Sequence, residues 1–196
     1  GGYFMKYSGE SNLKTVGLEM GGKSPFIVLD DAKITDDLID NAINSAFWNG
    51  GQNCSANMRQ IIHSKIKDEF LDRVSKKVKS LKVGDPLDLE NNMGSMISKI
   101  HLQKVDSYIQ KGIDEGAKVL HGGVSDPNQK GFFAKPTLFD DVKENMTIAQ
   151  DEIFGPVLGI ITVKNEDEAL KIAKNSKYGL HASVFTQDIN KAFNLA

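Results

Sequence analysis

The sequence predicts an α/β fold: an open, mostly parallel twisted sheet flanked by helices. Three observations carry this expectation. Short β-branched runs alternate with longer segments of helical periodicity. The length, 196 residues, suits one compact domain with a core of its own. No internal repeat or low-complexity stretch interrupts the alternation.

The elements follow in order. Phe26-Ile27-Val28-Leu29 is a short apolar run of the buried-strand type. Thr35 is placed to cap a helix whose positive end carries Asp36 and Asp37, and whose inner face aligns Leu38, Ile39, Ala42, Ile43, Ala46 and Phe47. Residues 58–63 form the next strand. The helix after it turns Phe70, Leu71, Val74, Val78 and Leu81 inward and stops at Gly84-Asp85-Pro86. A third helix starts near Ser98, aligns Leu102, Val105, Ile109 and Ile113, and ends before Gly116. Lys118-Val119-Leu120 is a short strand closed by Gly122-Gly123, and residues 125–131 form a surface loop. Residues 132–142 are extended, with Pro136 pointing to a sheet edge. Residues 157–163 make a central strand, and Asn165 with Glu168 caps the helix that runs through Ala173. Residues 182–186 give one more strand, and a last helix begins near Asp188. The first residues lie outside any recognisable element and the last helix has no C-terminal signal. The reading is therefore one domain cut from a longer chain.

Composition narrows the function. A net charge of −2, with lysines and acids interspersed, gives no electrostatic footprint for nucleic acid or anionic lipid. No apolar stretch approaches the roughly 20 residues that cross a bilayer. The start, Gly1-Gly2-Tyr3-Phe4-Met5, has neither the basic region nor the apolar core of a signal peptide. Cys54 is the only cysteine, so no internal disulfide forms and the protein reads as reduced and cytoplasmic. A single thiol also excludes a multi-thiolate zinc site, and His63, His101, His121 and His181 show no ligand spacing. No metal is expected.

Three segments carry chemistry-bearing residues. In Phe47-Trp48-Asn49-Gly50-Gly51-Gln52-Asn53-Cys54 an apolar helix runs into a glycine-rich turn with the cysteine just beyond it. Backbone N–H groups in such a turn stabilise a thiolate or an oxyanion; equally, a lone cysteine is often a small buried hydrophobe. In Leu18-Glu19-Met20-Gly21-Gly22-Lys23-Ser24-Pro25 a carboxylate sits between two apolar side chains, where desolvation would bring its pKa toward general-base values. The plainer reading pairs Glu19 with Lys23 and leaves it idle. Gln150-Asp151-Glu152-Ile153-Phe154-Gly155-Pro156-Val157 offers an acid for a hydroxyl and an aromatic wall for a flat ligand, or else only a Gly-Pro turn beside a core phenylalanine.

Together and in this order, the three segments resemble the signatures of the aldehyde dehydrogenase superfamily, of its NAD(P)-dependent, hydrolytic type. Met20 stands where the family more often has leucine. Further similarity lies in Ser8-Gly9-Glu10-Ser11-Asn12-Leu13-Lys14, in Gly131-Phe132-Phe133 with Lys135-Pro136-Thr137-Leu138, and in Tyr178-Gly179-Leu180 with Ser183-Val184-Phe185-Thr186. It covers nearly the whole chain.

The resemblance implies that residues 1–196 are the thiol-bearing catalytic domain, truncated at both ends, without the dinucleotide-binding domain and the oligomerisation arm. It implies Cys54 as the nucleophile, passing through a thiohemiacetal and a thioester, and Glu19 as the base that activates the hydrolytic water. It assigns Glu152 to the nicotinamide ribose, Phe154 to the nicotinamide end, Met20, Gly21 and Gly22 to close approach by the cofactor, and His101 and Lys104 to cofactor contact from a helix. Trp48 and Asn53 would line the aldehyde tunnel. The cofactor implied is NAD or NADP, the partner a small aliphatic or amino aldehyde, and the parent protein a homodimer or homotetramer. A glutamate at position 19 favours release of a free acid over transfer to coenzyme A. The isolated piece is expected to have little dehydrogenase activity, because losing one oxyanion donor alone costs roughly 10²–10³ in rate. The alternatives are residual cysteine-dependent ester hydrolysis, a non-enzymatic structural or binding role, and a redox-sensing thiol.

Overall fold

The computed structural model describes residues 1–196. Its six strands are β1 (Pro25–Val28), β2 (Arg59–His63), β3 (Lys118–His121), β4 (Thr137–Asp140), β5 (Val157–Val163) and β6 (Ser183–Phe185). They form one sheet in the order β3-β4-β5-β2-β1-β6, and only the β3–β4 pair is antiparallel. The helices are α1 (Gly2–Glu10), α2 (Asp36–Phe47), α3 (Lys67–Ser80), α4 (Lys99–Asp114), α5 (Thr147–Gln150), α6 (Glu166–Lys174) and α7 (Ile189–Leu195).

Side-chain alternation along the strands divides the core into two layers. Phe26 and Val28 of β1 pack with Leu38, Ile43 and Phe47 of α2 and with Phe70, Val74 and Val78 of α3. Ile27 and Leu29 join Val105 and Ile109 of α4, Ile148 of α5 and Ile172 of α6 on the other face. Because both faces are covered, β1 and β4 are buried at every position, which is why the inner strands read as continuous apolar runs. The helix starts follow from their caps. Thr35, Ser98, Asn165 and Asp188 each accept a hydrogen bond from a backbone N–H in the first turn that follows. At α6 the Glu168 carboxylate also reaches back past the cap, accepting from the N–H of Lys164 at 2.7 Å.

Three expectations need correction. Pro136 does not mark an edge: β4 lies between β3 and β5, and the proline immediately precedes its first residue, where no ladder N–H is required. The first residues do form an element, α1, but none of its side chains is buried, so no apolar stripe announces it. Ile113 is 40% exposed, and the buried position on that turn of α4 is Gly112, packed under Ile148 and Phe139. No helix is long and apolar enough to cross a membrane.

Candidate active site

The segments ending at Pro25, those carrying Cys54 and Glu152, and the loop 178–182 lead into β1, β2, β5 and β6 respectively. These strands are adjacent and parallel, with Pro25 level with Arg59 and Arg59 level with Gly159. All four approaches therefore converge at the amino ends of neighbouring strands. This is the opposite end from the carboxyl-end crevice usual in open α/β sheets.

Close backbone approach holds the loops together. A Cβ on Gly22 would collide with the carbonyl oxygen of Cys54, and one on Gly21 with the carboxylate of Glu152. The N–H of Gly22 donates to Glu152 Oε1 at 3.0 Å. The first and third segments thus bond directly, with the cysteine loop pressed against the first. That loop is set by three consecutive left-handed residues, Asn49, Gly50 and Gly51, with φ of 54°, 65° and 70°. Side chains of Asn49 and Gln52 close it by donating to each other's backbone carbonyls.

Cys54 is partly exposed, and its thiol lies 3.9 Å from Asn53 Oδ1. That same oxygen accepts from the N–H and hydroxyl of Ser55, so Asn53 braces the nucleophile loop from within. Trp48 is 67% exposed at the end of α2.

Glu19 lies three residues before Gly22 on the extended approach to β1. It is exposed and lines a cavity of about 290 Å³ with Gly1, Phe4 and Val16. The apolar sandwich expected around it is absent: Leu18 is 41% and Met20 51% exposed, since no element of the chain covers that side. Met20 packs beside Gly1.

Phe154 holds a left-handed backbone, φ 59°, which for a bulky residue requires surrounding support. His101 supplies it. Its Nε2 donates to the Phe154 carbonyl at 2.5 Å, and the two rings meet edge to face at 6.1 Å. With Nε2 so engaged, His101 shapes the third segment. Lys104 extends over the ring of Tyr108. Asp151, next to Glu152, takes a hydrogen bond from Lys177 that holds its carboxyl below the usual range.

Two structural anchors escaped the sequence reading. Arg59 is 2% exposed, and its guanidinium donates to the carbonyls of Ile172 and Ala173 at the end of α6 and of Lys23 before β1. It satisfies a helix C-terminus and fastens the first segment to it. Burial lowers its pKa to about 10, which leaves it charged. Asn57 donates to the Pro25 carbonyl at 2.9 Å and accepts from Ser183, joining β1 to β6. The available signal was an arginine inside an apolar strand run, since a buried cation demands fixed partners.

The glycine faces and the carboxylate of Glu152, with Oε2 outside the Gly22 bond, fit a hydroxyl-bearing flat cofactor approaching the backbone closely. Known proteins show the same arrangement of chain. The model of the "Aldehyde dehydrogenase family" matches residues 1–196. The mitochondrial aldehyde dehydrogenase of Mesocricetus auratus is 44% identical over 185 residues, 94% of this chain and 37% of that protein. The aminoacetaldehyde dehydrogenase of Pseudomonas aeruginosa is 38% identical over 100% of this chain and 39% of its own length. A solved NAD+ complex of an aldehyde dehydrogenase from Bacillus cereus superposes with a TM-score of 0.90 at 40% identity, covering 100% of this chain and 39% of that one. The chain thus spans about two fifths of the length of these relatives.

Proposed function

From the premise that this chain belongs to the aldehyde dehydrogenase family, we propose that it is the catalytic portion of an enzyme oxidising an aldehyde to a carboxylic acid with NAD or NADP. The observation that carries the reading is the interlock at the amino ends of β1, β2 and β5, where Gly22 abuts the Cys54 backbone and bonds Glu152.

In this proposal the Cys54 thiolate attacks the aldehyde carbon, forming a C–S bond and a tetrahedral oxyanion that nearby backbone N–H groups stabilise. When bound, a nicotinamide cofactor would supply the two-electron acceptor for the hydride lost from this carbon, and Cys54 would then hold the acyl group as a thioester. Glu19 takes a proton from water, the new C–O bond forms, and the C–S bond breaks to release the acid and the thiolate. Glu152 would hold the cofactor ribose through its carboxylate, and Phe154, fixed by His101, would hold the nicotinamide end. Trp48 and Asn53 belong to the approach of the aldehyde in the longer protein. The amino-aldehyde relative favours a small aliphatic or amino aldehyde as substrate.

The test is aldehyde-dependent NADH formation by the longer protein that contains this chain. Cys54→Ala should abolish it. Glu19→Gln should slow turnover by about 10²–10⁴ while a burst of acyl-enzyme persists, as expected on losing a general base. Undiminished turnover in the Cys54→Ala protein would end the proposal. For the 196-residue chain, turnover with a reactive aldehyde should be negligible, while iodoacetamide should label Cys54 at neutral pH.

A further inference from the structure

The loops that enter β1 and β6, with α6 and the end of α7, line a second cavity of about 490 Å³, and Cys54 is not among its lining residues. Lys23, Ser24 and Arg59 line it, and each has a buried polar atom without a partner: Lys23 Nζ, Ser24 Oγ and Arg59 Nε. Lys23 is 3% exposed and makes no ion pair, and no lining side chain is an acid. The remaining wall is largely apolar, including Leu170 and Leu180. Burying an unsatisfied donor is unfavourable, and here the whole Lys23 ammonium lacks a partner while the Arg59 guanidinium, although bonded to carbonyls through its two terminal nitrogens, leaves its Nε free. Two oxygens on a short hydrocarbon stem would answer both the orphaned donors and the apolar wall, whereas a phosphate would leave that wall uncovered.

We propose that this cavity is a binding site for a short aliphatic monocarboxylate, held by Lys23, Ser24 and Arg59. The carboxylate comes either from a free acid or from a glutamate or aspartate side chain elsewhere in a longer polypeptide; the recognition chemistry is the same. Binding is linked to protonation. Burial and the neighbouring Arg59 lower the Lys23 pKa to about 7, against weaker opposing effects of Asp151 and Glu152, while Lys174, Tyr178 and His181 are the other charged or titratable side chains of the lining. The ammonium form binds, so affinity holds below neutral pH and falls as pH rises, by about 30-fold between pH 6 and pH 8.5 for a group titrating near 7.

The experiment is calorimetric titration of the 196-residue chain with sodium butyrate, against chloride and phosphate at equal ionic strength, at both pH values. Saturable butyrate binding at pH 6, the stated weakening at pH 8.5, and loss in Lys23→Met are expected. Leu180→Trp, which fills the cavity from a partly exposed position, should block binding even if the lysine variant misfolds. Cys54→Ala should bind normally, which separates this site from the proposed dehydrogenase chemistry. In the longer protein, retained butyrate binding assigns the free acid as ligand, and loss of it assigns an internal carboxylate. Absence of saturable binding at pH 6, equal affinity for phosphate, or unchanged binding in Leu180→Trp overturns the proposal.

Discussion

Replacing Lys23 by methionine isolates the energetic consequence of a buried amine. The side chain is 3% exposed with an unpartnered Nζ, and its pKa falls from 10.5 to about 7 through burial first and Arg59 second. At 1.36 kcal/mol per pKa unit, the full gap is worth about 5 kcal/mol. Its sign follows from proton counting. Between about 7 and 10.5 the unfolded chain holds a proton on Lys23 that the folded chain has released, so stability rises with pH across that window. Below 7 both states are protonated, and the folded state carries the whole penalty. Lys23→Met removes the group and its slope together. Urea unfolding should therefore find the variant more stable than the parent sequence by about 4–5 kcal/mol at pH 6.5. At pH 9.5 the difference should shrink by about 3 kcal/mol. A difference that stays constant across these pH values would refute the reasoning, because packing changes alone carry no such dependence.

Gly22→Ala forces a methyl group against the Cys54 carbonyl and should destabilise the chain by about 1–3 kcal/mol while changing the alkylation rate of Cys54. Gly17→Ala, whose added carbon meets nothing within 4 Å, serves as the neutral control in the same assay. Arg59→Met strips the donors from the carbonyls of Ile172, Ala173 and Lys23. It should cost about 3 kcal/mol, with hydrogen exchange accelerating first at the end of α6. His101→Ala should cost about 1–2 kcal/mol by chemical denaturation and free the strained turn at Phe154.

Much of this architecture is legible in the sequence because local chemistry decides it. Thr35, Ser98, Asn165 and Asp188 announce their helices by the hydrogen bonds their side chains make, whatever the rest of the fold does. The inner strands are legible because two-sided burial requires unbroken apolar runs. Strand order is different. Nothing local to residues 157–163 states that they lie beside β2, so the convergence of the three segments was available only through family resemblance. The same limit explains Pro136, whose missing donor is harmless just before a strand as well as at an edge. α1 escaped because periodicity detects a buried face, and this helix has none. Around Glu19 the sequence pattern of flanking apolar residues was read as enclosure, yet enclosure needs a second surface, and Leu18 and Met20 have none within the chain.

The placement of the site at the amino ends of the strands divides the connections into two classes. Those running from helix to strand carry Cys54, Glu152 and the residues around Tyr178, and their lengths are tied to one another by backbone contact. Those running from strand to helix, near Lys33, Ser64 and Lys164, emerge on the far rim and touch none of that machinery. The far rim is accordingly where sequence drift, a peptide tag or a grafted loop meets least resistance, while a one-residue insertion between Gly50 and Met58 would shift the thiol out of register with its neighbours.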